Sequence, residues 1–157
     1  SEQRQISEEA RPVWIVVHVN HADELAAGAS AALRRLNRAG VPLLSQTVLL
    51  KGINDSAETL ADLFRALVRL KVKPYYLHHC DLAPGTSHFR TTIPEGQAIM
   101  AALRGRISGT CLPAYVLDIP GGFGKVPMTP DHVTPLTPGR YCVRDHQGRL
   151  HDYSDPV

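Results

Sequence analysis

The sequence predicts an α/β protein in which parallel strands alternate with helices. Short apolar runs rich in β-branched residues recur along the chain, beginning with Val13–Val19. Segments with apolar residues at helical spacing separate these runs, and the links between them are short. Strands joined through helices in this way lie parallel, with right-handed crossovers. The pattern leaves open whether the sheet closes into a barrel.

Four strands are expected from this pattern. The first, Val13–Val19, is a continuous apolar run, which is typical of a parallel strand covered on both faces. The other three strands are expected at Val41–Leu50, Val72–Cys80 and Pro113–Ile119.

Three helices are expected between the strands. The first spans residues 24–39, with a cap at or near Asp23 and a stop at Gly40. The second opens at Asn54–Ser56, and the third begins at Pro94 and runs to about Gly105. The second helix carries an inward apolar stripe made of Leu60, Leu63, Phe64, Leu67 and Val68. After the fourth strand, Arg140–Val143 and Arg149–Tyr153 flank a turn and predict a hairpin.

Composition excludes several classes of protein. The 157 residues include 17 basic and 15 acidic side chains, so charge favours neither a nucleic-acid nor a membrane partner. The sequence has no apolar run of membrane-spanning length, and its polar start does not resemble a secretory signal. Cys80, Cys111 and Cys142 are too few and too far apart for a disulfide framework, a zinc site or an iron-sulfur cluster. We therefore expect a cytoplasmic protein with no metal site of its own.

A glycine-rich stretch, Asp118–Pro127, is the most distinctive part of the chain. Its three glycines allow backbone N–H groups to approach an anion, and Lys125 is available to a phosphate or to an aldehyde as an imine-forming amine. The stretch is not a Walker A loop, because Ile119 and Val126 stand where that motif needs glycine and Ser or Thr. A glycine-rich turn with a solvated lysine is an equally good interpretation of the loop alone.

Polar side chains follow the third and fourth strands. His78, His79, Cys80 and Asp81 include metal-ligating types, but neighbours on a strand point to opposite faces, so a polar strand end is favoured over a metal site. Asp81 and Asp118 could both point into the mouth of a barrel and hold a cationic group there. Alternatively, one of them could act as a general base, or each could cap its own loop.

Weaker candidates follow the first strand and lie within the second. They are His18, Asn20, His21 and Gln46.

Together these stretches resemble the C-terminal half of a lysine 2,3-aminomutase, a radical S-adenosylmethionine enzyme that also uses pyridoxal phosphate. The resemblance covers about residues 12–126. It rests on five ordered motifs: 16–21, 46–55, 73–82, 85–90 and the Pro-Gly-Gly-x-Gly-Lys loop.

The resemblance implies a partial TIM-like (β/α) barrel over residues 12–130, after a polar segment 1–11 and before an extension with a hairpin, 131–157. It implies that Lys125 forms the imine with pyridoxal phosphate and that Asp81 and Asp118 hold the ε-ammonium of L-lysine. His21 and Gln46 match positions that line the S-adenosylmethionine pocket. The implied reaction moves the α-amino group of L-lysine to the β-carbon through a 5′-deoxyadenosyl radical.

One departure from the family pattern is large. The C-x-x-x-C-x-x-C motif that holds the family's [4Fe–4S] cluster is absent from these 157 residues. The family keeps that motif in an N-terminal half, so we expect this chain to be inactive alone and to expose a sheet edge that favours self-association. Two alternatives stay open: a cluster-free α/β module that binds pyridoxal phosphate or another phosphate ligand, and the related aminomutase that modifies an elongation factor. The latter group lacks this form of the lysine loop.

Overall fold

The computed structural model describes residues 12–155, which form two β-sheets and three α-helices. The first sheet contains five strands in chain order: β1 (Ile15–His18), β2 (Leu43–Leu49), β3 (Val72–His79), β4 (Ala114–Asp118) and β5 (Lys125–Pro127). The helices are α1 (Ala27–Arg38), α2 (Ala57–Arg69) and α3 (Ile93–Leu103). A second sheet contains β6 (Val133–Thr137), β7 (Arg140–Arg144) and β8 (Leu150–Ser154).

The predicted alternation of parallel strands and helices is confirmed. Strands β1 to β4 pair in parallel, and each of the three connections between them contains one of the helices. Strand β5 then pairs antiparallel with β4. Within residues 12–155 the sheet is open, with β1 and β5 as its two edges.

The core lies between the helices and one face of this sheet. The predicted stripe of α2 faces inward, since Leu60, Leu63, Phe64 and Leu67 have no exposed surface. Val68 packs against the same cluster and is half-buried. On β2, buried residues alternate with half-buried ones, so one face of the sheet meets the helices and the other carries a different set of side chains.

The expectation that the first strand is covered on both faces is wrong. Val16 is 42% exposed and Trp14 just before the strand is 60% exposed. Strand β1 is an edge with one neighbour, β2, and no element within residues 12–155 covers the face that carries Val16. The continuous apolar run indicates residues that suit a covered strand. It does not indicate which element would cover that strand.

The first helix begins later than predicted. A single 3₁₀ turn, Ala22–Leu25, precedes α1, and its cap is His21 rather than Asp23. The Nδ1 atom of His21 accepts a hydrogen bond from the Asp23 amide at 3.3 Å, and the Glu24 carboxylate accepts from the amides of Asn20 and His21. These bonds close the first turn tightly, and Ala26 leaves helical geometry before α1 starts.

The C-terminal hairpin is confirmed, and the structure adds a third strand. Strands β7 and β8 pair antiparallel around a turn at Asp145–Gly148, as the sequence predicts. Strand β6 pairs with the other side of β7 and was missed. It contains Pro135, which argues against a central strand but is tolerated on an edge.

The carboxyl ends of β1 and β2 are tied together by one buried amide. Asn54, with no exposed surface, accepts a hydrogen bond from the Leu50 amide at 2.7 Å. Its Nδ2 atom donates to the carbonyls of Asn20 at 2.8 Å and Val48 at 2.9 Å. The Asn20 side chain in turn accepts from the Val48 amide. These contacts fix the loops that leave the two strands, so Asn20 and Asn54 have structural roles.

Replacing Asn54 with Ala should destabilise the protein by about 3 kcal/mol, because three buried hydrogen bonds are lost together. Urea unfolding would measure the change. The neighbouring exposed Asp55 provides a matched control, and Asp55→Ala should change the unfolding free energy by less than about 0.5 kcal/mol. Equal effects of the two substitutions would contradict the structural role of Asn54.

No helix of residues 12–155 has the length and apolar character needed to cross a membrane.

Candidate functional site

A row of polar side chains crosses the sheet on the face opposite the helices. In the strand register His18 lies beside Gln46, and Gln46 lies beside Tyr76. Two residues further along both strands, His78 lies beside Val48. Because side chains alternate along each strand, these polar groups share one face. The row continues to the end of β4, where Asp118 pairs in register with Lys125 of β5.

Asp118 is the centre of the charged part of this row. Its carboxylate accepts a hydrogen bond from Lys125 Nζ at 2.5 Å and another from His78 Nδ1 at 2.8 Å. Since an ionised carboxylate only accepts, His78 must carry its proton on Nδ1. The side chains of Asp118 and Lys125 are 35% and 39% exposed, and that of His78 is 17% exposed. The site is therefore accessible to a ligand.

The ion pair changes the acidity of both partners. The hydrogen bond from Lys125, with a further contribution from His78, holds the pKa of Asp118 below its usual range. The same contact with Asp118 raises the pKa of Lys125. Lys125 is thus held as an ammonium, and it becomes a better nucleophile when Asp118 is neutralised or engaged elsewhere.

Two tyrosines support the lysine. The Nζ atom of Lys125 lies 5.8 Å from the centre of the Tyr76 ring, within reach of a cation–π contact. The Tyr75 hydroxyl donates to the Tyr76 hydroxyl at 2.9 Å, although strand neighbours normally face opposite sides. A bulge explains this, because β3 advances two residues, from Pro74 to Tyr76, while β2 advances one. Both tyrosines were missed by the sequence analysis, although Pro74 inside a central strand is a signal for a bulge.

The glycine-rich loop brings Lys125 back to Asp118. Gly121, Gly122 and Gly124 all have positive φ values, 91°, 81° and 90°, which side-chain-bearing residues rarely adopt. The Ile119 amide donates to the Gly124 carbonyl at 2.8 Å and closes the loop. The glycines therefore provide the reversal of the chain that pairs β5 with β4.

A cleft of about 830 Å³ opens beside this loop at the carboxyl ends of β3 and β4. Asp81 and Asp118 both line it, as expected for acids that follow neighbouring parallel strands. Its volume lies within the range of sites that bind small molecules. The remaining lining is largely apolar and includes Leu82, Ile93 and Leu117 together with the glycine loop. The cleft thus combines two carboxylates with apolar walls.

The two adjacent histidines of β3 point to opposite sides of the sheet, as the alternation predicts. His78 contacts Asp118, whereas His79 Nδ1 lies 2.8 Å from the hydroxyl of Tyr115. Burial raises the pKa of Tyr115 to about 12 and lowers that of His79, so the neutral phenol donates to a neutral imidazole. No group of three or more His, Cys, Asp or Glu side chains in the described part of the chain is arranged to hold a metal ion.

The remaining candidates lie apart from the charged centre. His21 caps the turn after β1, and Gln46 lies in the middle of β2 between its two register partners. The three cysteines are free thiols on separate segments: Cys80 after β3, Cys111 in a 3₁₀ turn before β4, and Cys142 in β7. The structure therefore brings Asp81, Asp118 and Lys125 to one place. Gln46 lies further along the same row of polar side chains, and His21 lies outside it.

The fold and site define an α/β protein with two carboxylates at the ends of neighbouring parallel strands, one of which forms an ion pair with a lysine. Comparison with known proteins connects this arrangement to a family. A family model described as lysine-2,3-aminomutase matches residues 100–157. The predicted resemblance is confirmed, and the chain is related to the C-terminal part of the lysine 2,3-aminomutases.

Individual relatives agree with this relationship. A protein of Aquifex aeolicus is 47% identical over 148 residues, which are 94% of this chain and 40% of that protein. The L-lysine 2,3-aminomutase of Clostridium subterminale is 41% identical over 146 residues, 93% of this chain and 35% of the enzyme. The glutamate 2,3-aminomutase of Clostridioides difficile is 37% identical over 139 residues, 88% of this chain and 33% of the enzyme. The chain thus spans about a third to two fifths of these relatives.

Replacing Asp118 with Asn should make Lys125 more reactive at neutral pH, because the contact that raises the lysine pKa is weakened. Reductive methylation with formaldehyde, followed by peptide mass analysis, measures this. We expect a roughly two- to fivefold faster modification of Lys125, the size expected for a partly exposed ion pair. The exposed Lys51 serves as an internal reference. An unchanged rate ratio between Lys125 and Lys51 would show that Asp118 does not control the amine.

Proposed function

We propose that this chain forms the part of an L-lysine 2,3-aminomutase that binds the coenzyme aldehyde and the side-chain ammonium of the substrate. The observation that carries the proposal is the meeting of Lys125 with Asp118 beside a cleft that Asp81 also lines. The reaction would move the α-amino group of L-lysine to the β-carbon, and the protein would be an isomerase.

Pyridoxal phosphate fits the groups at the lysine end of the site. Lys125 is a partly exposed primary amine, and a Cβ atom built at Gly122 or Gly124 meets nothing within 4 Å, so the loop leaves open space next to it. Lys125 would hold the coenzyme through its aldehyde carbon. When bound, the coenzyme would supply a conjugated system that eases migration of the amino group.

Binding of the Lys125 amine by an aldehyde would also prepare the acidic part of the site. Lys125 can attack an aldehyde only after its ammonium gives up a proton, and it would then leave the ammonium–carboxylate pair with Asp118. With His78 still donating to it, Asp118 would be an oriented and ionised acceptor for a new ammonium group. Asp81, exposed on the same cleft, would provide the second negative charge.

The two carboxylates favour lysine over glutamate as the substrate. A lysine side chain ends in a cation, which two anions attract, whereas a glutamate side chain would be repelled by them. This matters because the relatives include enzymes named for each substrate.

The radical part of the reaction needs residues beyond those that the structure brings together. The three cysteines, of which Cys80 and Cys111 are buried, do not fit a [4Fe–4S] cluster. We propose that a segment with the family's cysteine motif supplies the cluster and that S-adenosylmethionine binds near β1 and β2, where His21 and Gln46 lie. The open edge at β1 would then be continued into a partial barrel, with residues 12–130 as its C-terminal half and 131–157 as an extension. The same exposed edge would favour self-association when it is not covered.

Trapping of the coenzyme tests the assignment of Lys125. Incubation with pyridoxal phosphate, borohydride reduction and peptide mapping should place the adduct on Lys125. The Lys125→Ala variant should lose that adduct while the background on Lys51 stays unchanged. Modification spread equally over both lysines would contradict a specific coenzyme site.

Ligand binding tests the carboxylates separately from the lysine. L-Norleucine has the backbone of L-lysine but no ε-ammonium, so it measures binding without the charge contact. After loading with pyridoxal phosphate, Asp81→Asn and Asp118→Asn should each weaken binding of L-lysine by about tenfold, in line with a charge-assisted hydrogen bond. Both variants should bind L-norleucine as the unaltered protein does. Equal weakening of the two ligands would overturn the ammonium-binding role.

A cluster-free module that binds pyridoxal phosphate remains the second candidate. It is favoured by the separation of the three cysteines, which lie on different segments of residues 12–155. Sequencing of the whole reading frame distinguishes the two: closely spaced cysteines upstream of Ser1 support the radical enzyme, and a complete frame without them supports the module.

A further inference from the structure

A second charged cleft lies at the opposite end of the sheet from Asp118. The C-terminal ends of α1 and α2 border it, at the points where the chain enters β2 and β3. Because these strands are parallel, that edge is remote from the strand ends that carry the site described above. The cleft has a volume of about 240 Å³. We name it the basic cleft after its four cationic side chains, Arg34, Arg38, Arg69 and Lys71.

Among residues 12–155, no acidic side chain lines the basic cleft. Its remaining lining consists of Asn37 and Leu70, and the sequence of α1 contains neither Asp nor Glu. Among the described residues, no carboxylate lies within 4.0 Å of any of the four cations. The whole chain has 17 basic and 15 acidic residues, so this concentration does not follow from composition.

Lys71, which lines the cleft, has a backbone conformation that is unfavourable for a residue with a side chain. Lys71 has a φ of 56° and is the one residue other than glycine with positive φ in the described chain. It stands two residues after the end of α2, and Gly40 stands at the same position after α1, with a φ of 78°. Glycine adopts this conformation freely, whereas a side chain makes it unfavourable. The local geometry of the helix end alone would favour glycine at position 71.

The two arginines of α1 that line the cleft also repel each other. Arg34 and Arg38 are four residues apart on α1, where like charges face each other and weaken the helix. A basic residue in the last turn of a helix complements the helix dipole. That effect explains single cations at each helix end, but it does not explain why four cations from two helix ends line one cleft. An anion between them would remove the repulsion.

The basic cleft is already formed in the structure. The Nδ2 atom of Asn37 donates to the carbonyl of Leu70 at 2.6 Å, and this bond ties α1 to the turn that follows α2. The two helix ends are therefore held at a fixed separation, so an anion would bind without first ordering the two helices.

We propose that the basic cleft binds the phosphate groups of a small multivalent anion, such as a polyphosphate or the phosphate chain of a nucleoside triphosphate. Three guanidinium groups present planar pairs of donors that match phosphate oxygens, and Lys71 adds a fourth positive charge. The volume suits a short phosphate chain. This inference is independent of the proposed aminomutase function.

Calorimetric titration with inorganic tripolyphosphate tests the proposal. Binding should weaken as salt concentration rises. The Arg34→Gln variant should lower the affinity by about tenfold, as expected for the loss of a charged hydrogen-bond donor. Arg35→Gln is the matched control, because Arg35 is an exposed arginine of the same helix that does not line the cleft. Equal losses in the two variants would reveal general charge attraction only and would overturn the site.

The Lys71→Gly variant provides a second measurement that does not depend on a loss of folding. Glycine removes the cation and relieves the backbone strain, so the melting temperature should rise while the affinity for tripolyphosphate falls. A rise in melting temperature with unchanged affinity would exclude Lys71 from the site.

Further titrations identify the source of the phosphate. They also test whether the phosphate binds instead at the cleft beside Lys125. Equal affinities for tripolyphosphate and ATP would support recognition of phosphates alone, and tighter binding of ATP would support a nucleotide. The Lys125→Ala variant should bind tripolyphosphate normally. No binding of either compound at low salt, or loss of binding in Lys125→Ala, would overturn the proposal.

Discussion

The candidate site depends on the carboxylate of Asp118. It receives Lys125 from the following strand and His78 from the preceding one, so three consecutive strands of the sheet meet at one acidic group. The glycine loop exists in its observed form because β5 must return antiparallel to reach this position. The ion pair couples the two groups, because the contact lowers the pKa of Asp118 and raises the pKa of Lys125.

At the carboxyl ends of the strands, some loops are held by buried hydrogen bonds and one loop is open to solvent. The loops after β1 and β2 are fixed by buried hydrogen bonds, including those of Asn54 and the bond from Thr47 Oγ1 to the Val19 carbonyl at 2.6 Å. The glycine loop after β4 has few such contacts, and Phe123 at its tip is 79% exposed. A rigid scaffold beside an open loop suits a site that must position a small molecule and also admit it.

The two ends of the sheet carry different sets of charged residues for a topological reason. In a parallel α/β arrangement all strands end at the same edge, and all helices end at the other. Acidic residues that follow strands therefore gather around the larger cleft, while basic residues that end α1 and α2 gather at the basic cleft. A nearly neutral chain can in this way place carboxylates at one end of the sheet and a group of four cations at the other.

The sequence by itself determined the class of fold, the inward stripe of α2, the hairpin of β7 and β8, and the lysine loop, because each depends on local spacing or on residues with a strong backbone preference. It also allowed Asp81 and Asp118 to point into one barrel mouth, since parallel strands end together, but left open that each caps its own loop. Only the tertiary structure decided that Lys125 pairs with Asp118, that a bulge turns Tyr75 and Tyr76 to one side, and that Gly96 must lack a side chain. A Cβ atom at Gly96 would lie 1.9 Å from the Tyr115 hydroxyl. The ion pair and the packing at Gly96 depend on contacts between residues distant in sequence, which no local pattern of side chains encodes. Pro74 signals a bulge, but the side to which it turns the two tyrosines depends on the pairing with β2.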